Sequence, residues 1–175
     1  FELTLNNADK GEVAQESLLH RLRMLASQDY PVVLTLTPTL LATKALFLHA
    51  QAQQVDFVCG TDLYERVLLP KYYRHSGGLD KALKSIFAHH TQLWVGSRSP
   101  ETYPPLSDPI SEAEIVPYLA QVHPFALEVP VSASAVRTRV AQEPALTGPW
   151  KDWVSDEVAQ YILDQGLYQT TASNE

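Results

Sequence analysis

A single cysteine, Cys59, stands in 175 residues, so no disulfide can form within the chain, and the Cys/His spacings of a structural zinc site are absent. That usage fits a reducing cytoplasm. No apolar run approaches the roughly 20 residues that a membrane-spanning helix requires, and no signal peptide opens the chain. Cations are also scarce. Lys and Arg number 13 against 20 Asp and Glu, for a net charge of −7 and a pI near 5.3. Such a balance excludes a general nucleic-acid or anionic-membrane binder. It leaves room for a phosphate site wherever the few cations converge on one cleft. Internal repeats and low-complexity segments are absent as well.

What remains is a chain of 45% hydrophobic content, enough for one domain over residues 1–175 with a full core. Apolar runs alternate with amphipathic stretches, the pattern of an α/β fold with a parallel sheet. Strands are expected at Phe1–Leu5, Val32–Thr37, Val55–Cys59, Leu93–Gly96 and Ala126–Val129, the middle ones covered on both faces. A strand that opens at the first residue leads to the expectation that sequence precedes it in the intact protein.

Helical spacing covers Val13–Ser27, where Leu18, Leu22 and Leu25 share a face, then Thr39–Gln51 and Leu79–His89. The last helix has the clearest signals. Ser155 caps it, Asp156 and Glu157 suit its positive end, Val158, Tyr161 and Ile162 form its inner stripe, and Gly166 ends it. Ser99–Pro109 reads as a loop with four prolines, and Glu143–Trp150 as an irregular loop within the C-terminal segment 143–175.

In open parallel sheets ligands bind beyond the carboxyl ends of the strands, so the residues that follow each strand are the candidates. Thr35-Leu36-Thr37-Pro38-Thr39 leads to Lys44, Gly60-Thr61-Asp62 follows the third strand, and Ser97-Arg98 the fourth. After the fifth comes Val131-Ser132-Ala133-Ser134-Ala135-Val136-Arg137. A helix N-terminus offers unpaired N–H groups and partial positive charge to a phosphate, serines add donors, and an arginine one turn on adds a bidentate clamp.

Each element has a plainer reading. Ser-x-Ser also serves as a simple N-cap. Gly60 can admit a ligand to the backbone and Asp62 accept ribose hydroxyls, or the two can merely start a helix. Lys44 and Arg98 are equally surface cations. Trp94 reads as core, Tyr72 and Tyr73 as loop packing or pocket wall. His89-His90 suits a helix C-terminus rather than a metal site. No metal ligands are assigned.

Taken in order, these segments resemble the nucleotidylyltransferase superfamily in its nicotinate/nicotinamide mononucleotide adenylyltransferase-like branch. That family's Ile-Ser-Ser-Thr-x-x-Arg is matched by Val131–Arg137, with Ala133 for the second serine and Ser134 for the threonine. Its Gly-x-Asp is matched by Gly60-Thr61-Asp62. Phe57–Arg66 with Lys71-Tyr72-Tyr73, Phe1-Glu2-Leu3 with Asn7-Ala8-Asp9-Lys10, and Tyr161-Ile162 with Leu167-Tyr168 look like a cytidylyltransferase-like subgroup.

The resemblance implies a Rossmann-like, mostly parallel sheet with helices on both faces. It implies transfer of a nucleotidyl group from a nucleoside triphosphate, with Mg²⁺, to a mononucleotide phosphate. Ser132, Ser134 and Arg137 would contact the triphosphate, Gly60 and Asp62 the ribose. Lys44 would lie near the acceptor phosphate and Arg98 near the nucleotide.

One family segment has no counterpart. The Gly-x-Phe-x-Pro-x-His-x-Gly-His that follows the family's first strand is matched by none of the six histidines. In family order it precedes Phe1, so the expected fold lacks its first strand and no catalytic residue is identified in the chain. The alternatives are an adenylyltransferase that makes a pyridine dinucleotide, a cytidylyltransferase with another acceptor, and a nucleotide-binding or regulatory module without chemistry.

Overall fold

Short apolar runs bounded by turn residues become parallel strands. The computed structural model describes residues 1–7, 9, 11–12, 14–97, 113–127, 131–144 and 148–169 of a mixed α/β chain. Strand β1 (Glu2–Thr4) runs parallel to β4 (Val33–Thr35), with Glu2 opposite Val33 and Thr4 opposite Thr35. Between them in sequence lie a two-residue antiparallel pair, β2 (Asn6–Asn7) and β3 (Gly11–Glu12), and helix α1 (Gln15–Ala26). A second parallel sheet has the order β5-β6-β7, from β5 (Phe57–Gly60), β6 (Leu93–Ser97) and β7 (Val122–Ala126). Its register aligns Phe57, Leu93 and Val122 in one row and Gly60, Gly96 and Phe125 in another.

Parallel strands require crossovers. Helix α2 (Leu40–His49) connects β4 to β5, and α3 (Thr61–Val67) with α4 (Leu79–Phe87) connects β5 to β6. After β7 come α5 (Ala133–Gln142), a 3-10 turn at Pro149–Trp153, and α6 (Asp156–Asp164). The helix starts follow local chemistry. The Thr39 hydroxyl accepts from the Ala42 amide, Ser132 from Ala135 and Ser155 from Val158, each satisfying one of the orphan donors of a first turn. Gly166 takes φ 57, the left-handed conformation that a glycine adopts without a Cβ penalty.

Two strand expectations are corrected. The strand expected at Ala126–Val129 begins earlier, at Val122, and ends at Ala126 among the described residues; residues 128–130 lie outside them. It contains Pro124, which an edge strand tolerates. The Leu127 amide donates to the Ser97 carbonyl, so by the two-residue period of a strand the Pro124 nitrogen faces away from β6.

Coverage on both faces also fails for β5. Phe57 and Cys59 are buried beneath α3 and α4, whereas Val58 is 74% exposed. Trp94, read as core, shares Val58's row and is 42% exposed, its ring 4.5 Å from that of His123.

The buried face is the main core. Leu83, Ile86, Leu93 and Val95 pack there with Tyr64, Leu68 and Tyr73, each large apolar side chain contributing about 1.5–3 kcal/mol on burial. Helix α1 holds Leu18, Leu22 and Leu25 only half-buried, and its His20 ring lies 4.7 Å from that of Tyr161. A second cluster joins α5 to α6 through Val136, Val140, Trp150, Ala159 and Ile162. Trp150, at the end of the segment 143–150 read as an irregular loop, is buried in that cluster, where its indole donates to the Glu143 carbonyl at 2.9 Å; residues 145–147 lie outside the described residues.

Burial pushes the Cys59 thiol up from 9.0 to about 11. The unfolded thiol therefore ionises first, and the stability held by keeping it neutral is complete below pH 9 and lost as pH rises toward 11. Cys59→Ala should flatten the wild-type loss of urea-unfolding free energy across that window by about 2 kcal/mol. An unchanged slope would refute the assignment.

Candidate functional site

The sequence-predicted residues fall into three groups. Gly60, Ser97 and Leu127 stand at the carboxyl edge of β5-β6-β7, because the ladder pairs Gly60 with Gly96 and Ser97 with Ala126 and the Leu127 amide donates to the Ser97 carbonyl. A Cβ at Gly60 would meet nothing within 4 Å, so its backbone is open to a ligand. At Gly96 a Cβ would come 3.0 Å from Leu127 Cδ1 and Phe125 Cζ, so glycine there leaves room for those two side chains. Asp62 is exposed on the first turn of α3.

The serine turn leads into α5. Ser132 caps the helix, its Oγ accepting the Ala135 amide at 2.9 Å, and Arg137 Nη2 donates to Ser134 Oγ at 2.9 Å across one turn. Ser134 and Arg137 are both exposed and share a helix face. Ser134 and Arg137 thus lie together on the exposed face of the helix whose first turn Ser132 caps.

Lys44 stands apart. It is 1% exposed, and its ammonium donates to the carbonyls of Ser85 (2.9 Å), Ile86 (2.7 Å) and Ala88 at the end of α4. The expectation of a phosphate contact is corrected, since this cation already serves the last turn of a helix. Arg98 lies outside the described residues.

What sequence reasoning missed is a cavity of about 260 Å³ between the carboxyl ends of β1 and β4 on one side and α3 on the other. Its walls include Glu2, Thr37, Thr39, Leu63, Arg66 and Tyr72. One Glu2 oxygen accepts from Thr35 Oγ1 at 2.6 Å and Thr43 Oγ1 at 3.1 Å, and Thr37 Oγ1 lies 3.2 Å from it.

Asp9, between β2 and β3, reaches the same cavity. Tyr72 Oη donates to its Oδ1 at 2.7 Å, Lys71 Nζ lies 3.6 Å from that oxygen, and Arg66 Nη1 lies 3.3 Å from Oδ2. The Tyr72 hydrogen bond, with the charges of Lys71 and Arg66, holds the Asp9 carboxyl below its ordinary value. Tyr73 is buried beside Tyr72, and burial raises its phenol above the ordinary range.

Asn7-Ala8-Asp9-Lys10 and Lys71-Tyr72-Tyr73 both stand out in the sequence, yet nothing local says that they meet. Among the described residues no group of three His, Cys, Asp or Glu side chains is placed to hold a metal, and no helix is long and apolar enough to cross a membrane. Compared with known proteins, the chain matches no family model and no curated protein.

Proposed function

We propose that the chain is the nucleotide-binding part of a nucleotidylyltransferase with a Rossmann-like, mostly parallel α/β fold. In this reading an acceptor phosphate oxygen, from nicotinate or nicotinamide mononucleotide, attacks the α-phosphorus of ATP. The bond to the β-phosphate breaks and pyrophosphate leaves. Catalysis of this kind rests on positioning and on stabilising phosphate charge.

One observation carries the reading: the parallel order β5-β6-β7 sets Gly60, Ser97 and Leu127 along a single carboxyl edge, and the serine turn begins four residues after Leu127 in sequence. That is where ligands of open parallel sheets bind. Ser132, Ser134 and Arg137 would hold the triphosphate, Gly60 and Asp62 the ribose. The described residues form no carboxylate cage for Mg²⁺, so the ion would arrive with the triphosphate. The partners are small nucleotides, neither nucleic acid nor membrane, and the buried lone Cys59 supports a cytoplasmic location.

Isothermal calorimetry with ATP and Mg²⁺ tests the binding half. Arg137→Ala should weaken ATP by roughly 10- to 100-fold, the loss of a charge-assisted contact worth about 1.5–3 kcal/mol. The side chain is exposed and among the described residues bonds to the exposed Ser134, so unfolding free energy should stay unchanged. Equal ATP affinity in the two proteins would defeat the reading.

A second reading, a nucleotide-binding module without chemistry, draws on the histidines. His89 and His90 precede β6, and His123 lies in the first half of β7, away from the carboxyl edge. Pyrophosphate release with ATP and nicotinate mononucleotide separates the two: release supports the transferase, binding without release the module.

A further inference from the structure

The Asp9 cluster at the mouth of the cavity has the layout of an occupied anion site. Three donors from two separate elements, Arg66 on α3 and Lys71 with Tyr72 in the 3-10 turn Pro70–Tyr73, converge on the two oxygens of one carboxylate. Arg66 and Tyr72 also line the 260 Å³ cavity, so the site opens into space that a ligand can fill. Lys71 Nζ lies 4.6 Å from the centre of the Tyr72 ring, which fixes the ammonium beside the phenol. The carboxylate comes from neither element but from the chain between β2 and β3, reaching across 57 residues of sequence to Arg66 and 63 to Tyr72. Side chains of Arg66 and Lys71 are about half exposed, and exposed ion pairs contribute little net stability.

We propose that Arg66, Lys71 and Tyr72 bind the phosphate of a phosphorylated small molecule that enters this cavity, and that Asp9 is a built-in competitor which must leave for it to do so. A tethered carboxylate has the advantage of local concentration, so a simple monoanion gains little by replacing it. A phosphate monoester carries up to two charges and three acceptor oxygens, enough for all three donors. Glu2 and its threonines line the same cavity. Like-charge repulsion from that carboxylate keeps the phosphate at the mouth, and leaves the uncharged part of the ligand to the interior. When Asp9 is displaced, the β2–β3 pair loses this attachment to α3 and to the 3-10 turn, so ligand entry and release of that pair are linked. The proposal is independent of the nucleotidyl-transfer reading and of the serine turn.

Inorganic phosphate tests it, by NMR titration of the chain at pH 7.5 against sodium chloride of matched ionic strength. Asp9→Asn removes the competing charge while keeping the shape, and should bind phosphate at least tenfold more tightly than wild type. Adding Arg66→Gln to Asp9→Asn should reverse that gain, and acetate should show no comparable gain. In the wild type, phosphate but not chloride should speed amide exchange at Gly11 and Glu12. This arm needs no variant to fold. Equal phosphate affinity in wild type and Asp9→Asn would overturn the proposal. So would an Asp9→Asn/Arg66→Gln protein that binds as tightly as Asp9→Asn, or wild-type exchange that phosphate leaves unchanged.

Discussion

Lys44→Met is expected to lower the unfolding free energy by about 2–5 kcal/mol, read from urea denaturation at pH 7. Helix α4 stops abruptly: Ala88 is extended, and His89 and His90 take φ 55 and 59. The last carbonyls therefore lack the amides of a continuing helix, and among the described residues only Ala88 accepts a later one, from Thr91 at 3.4 Å. Lys44 supplies donors to Ser85, Ile86 and Ala88, while Gln121 Nε2 takes Phe87 and Thr91, each at 2.9 Å.

Methionine keeps the length of the side chain and donates nothing. Ala88 retains the Thr91 hydroxyl at 3.2 Å, so the buried Ile86 carbonyl and the part-buried Ser85 carbonyl lose a charged donor, at about 1–3 kcal/mol each. Opposing this, the ammonium is itself costly to bury, and desolvation lowers the Lys44 pKa below its ordinary 10.5. The negative end of the helix dipole and three carbonyls meet that cost at neutral pH. A variant as stable as wild type would mean that desolvation outweighs them.

The sign of the pH dependence follows. The folded pKa is depressed, so between it and 10.5 the unfolded chain holds a proton that the folded chain has released. Wild-type stability therefore rises with pH through that window relative to the methionine variant.

Lys44 also shows where sequence reasoning stops. On an alanine- and leucine-rich helix a lysine is naturally taken for a surface cation, and its partners lie 41 to 44 residues away. Local signals served much better. Ser132, Ser155 and Gly166 act as caps because capping is decided within one helical turn. The parallel strands were legible from their apolar runs, but β7 was placed late, since Pro124 breaks a run that only an edge position permits.

Trp94 was misjudged because a strand's apolar run does not say which of its faces the helices will cover. The end of β5 at Gly60 and the helix cap at Ser132 could be read from spacing. The Asp9–Arg66–Lys71–Tyr72 cluster could not, because it is assembled by tertiary contact alone.

Trp150→Ala should be about as damaging as the loss of Lys44, at about 3–5 kcal/mol, and its effect should be confined to one part of the molecule. Trp150 is 0% exposed at the centre of the cluster formed by Val136, Val140, Ala159 and Ile162. Its removal leaves a cavity between α5 and α6 and orphans the Glu143 carbonyl that its indole had satisfied. None of these residues belongs to the main core of Tyr64, Leu83, Ile86, Leu93 and Val95.

Two clusters without a shared buried residue can open separately. Amide exchange in Trp150→Ala should therefore accelerate across Ala133–Gln142 and Asp156–Asp164, while α4 and β6 keep wild-type protection below the onset of global unfolding. Ser134 and Arg137 ride on α5 and Ser132 caps it, so if they hold the triphosphate as proposed, ATP affinity should fall together with that local protection although Trp150 lies beneath the helix and not on its outer face. Uniform acceleration across both clusters would instead show that the serine turn is held by the whole fold, and that Trp150 has no separate role in positioning it.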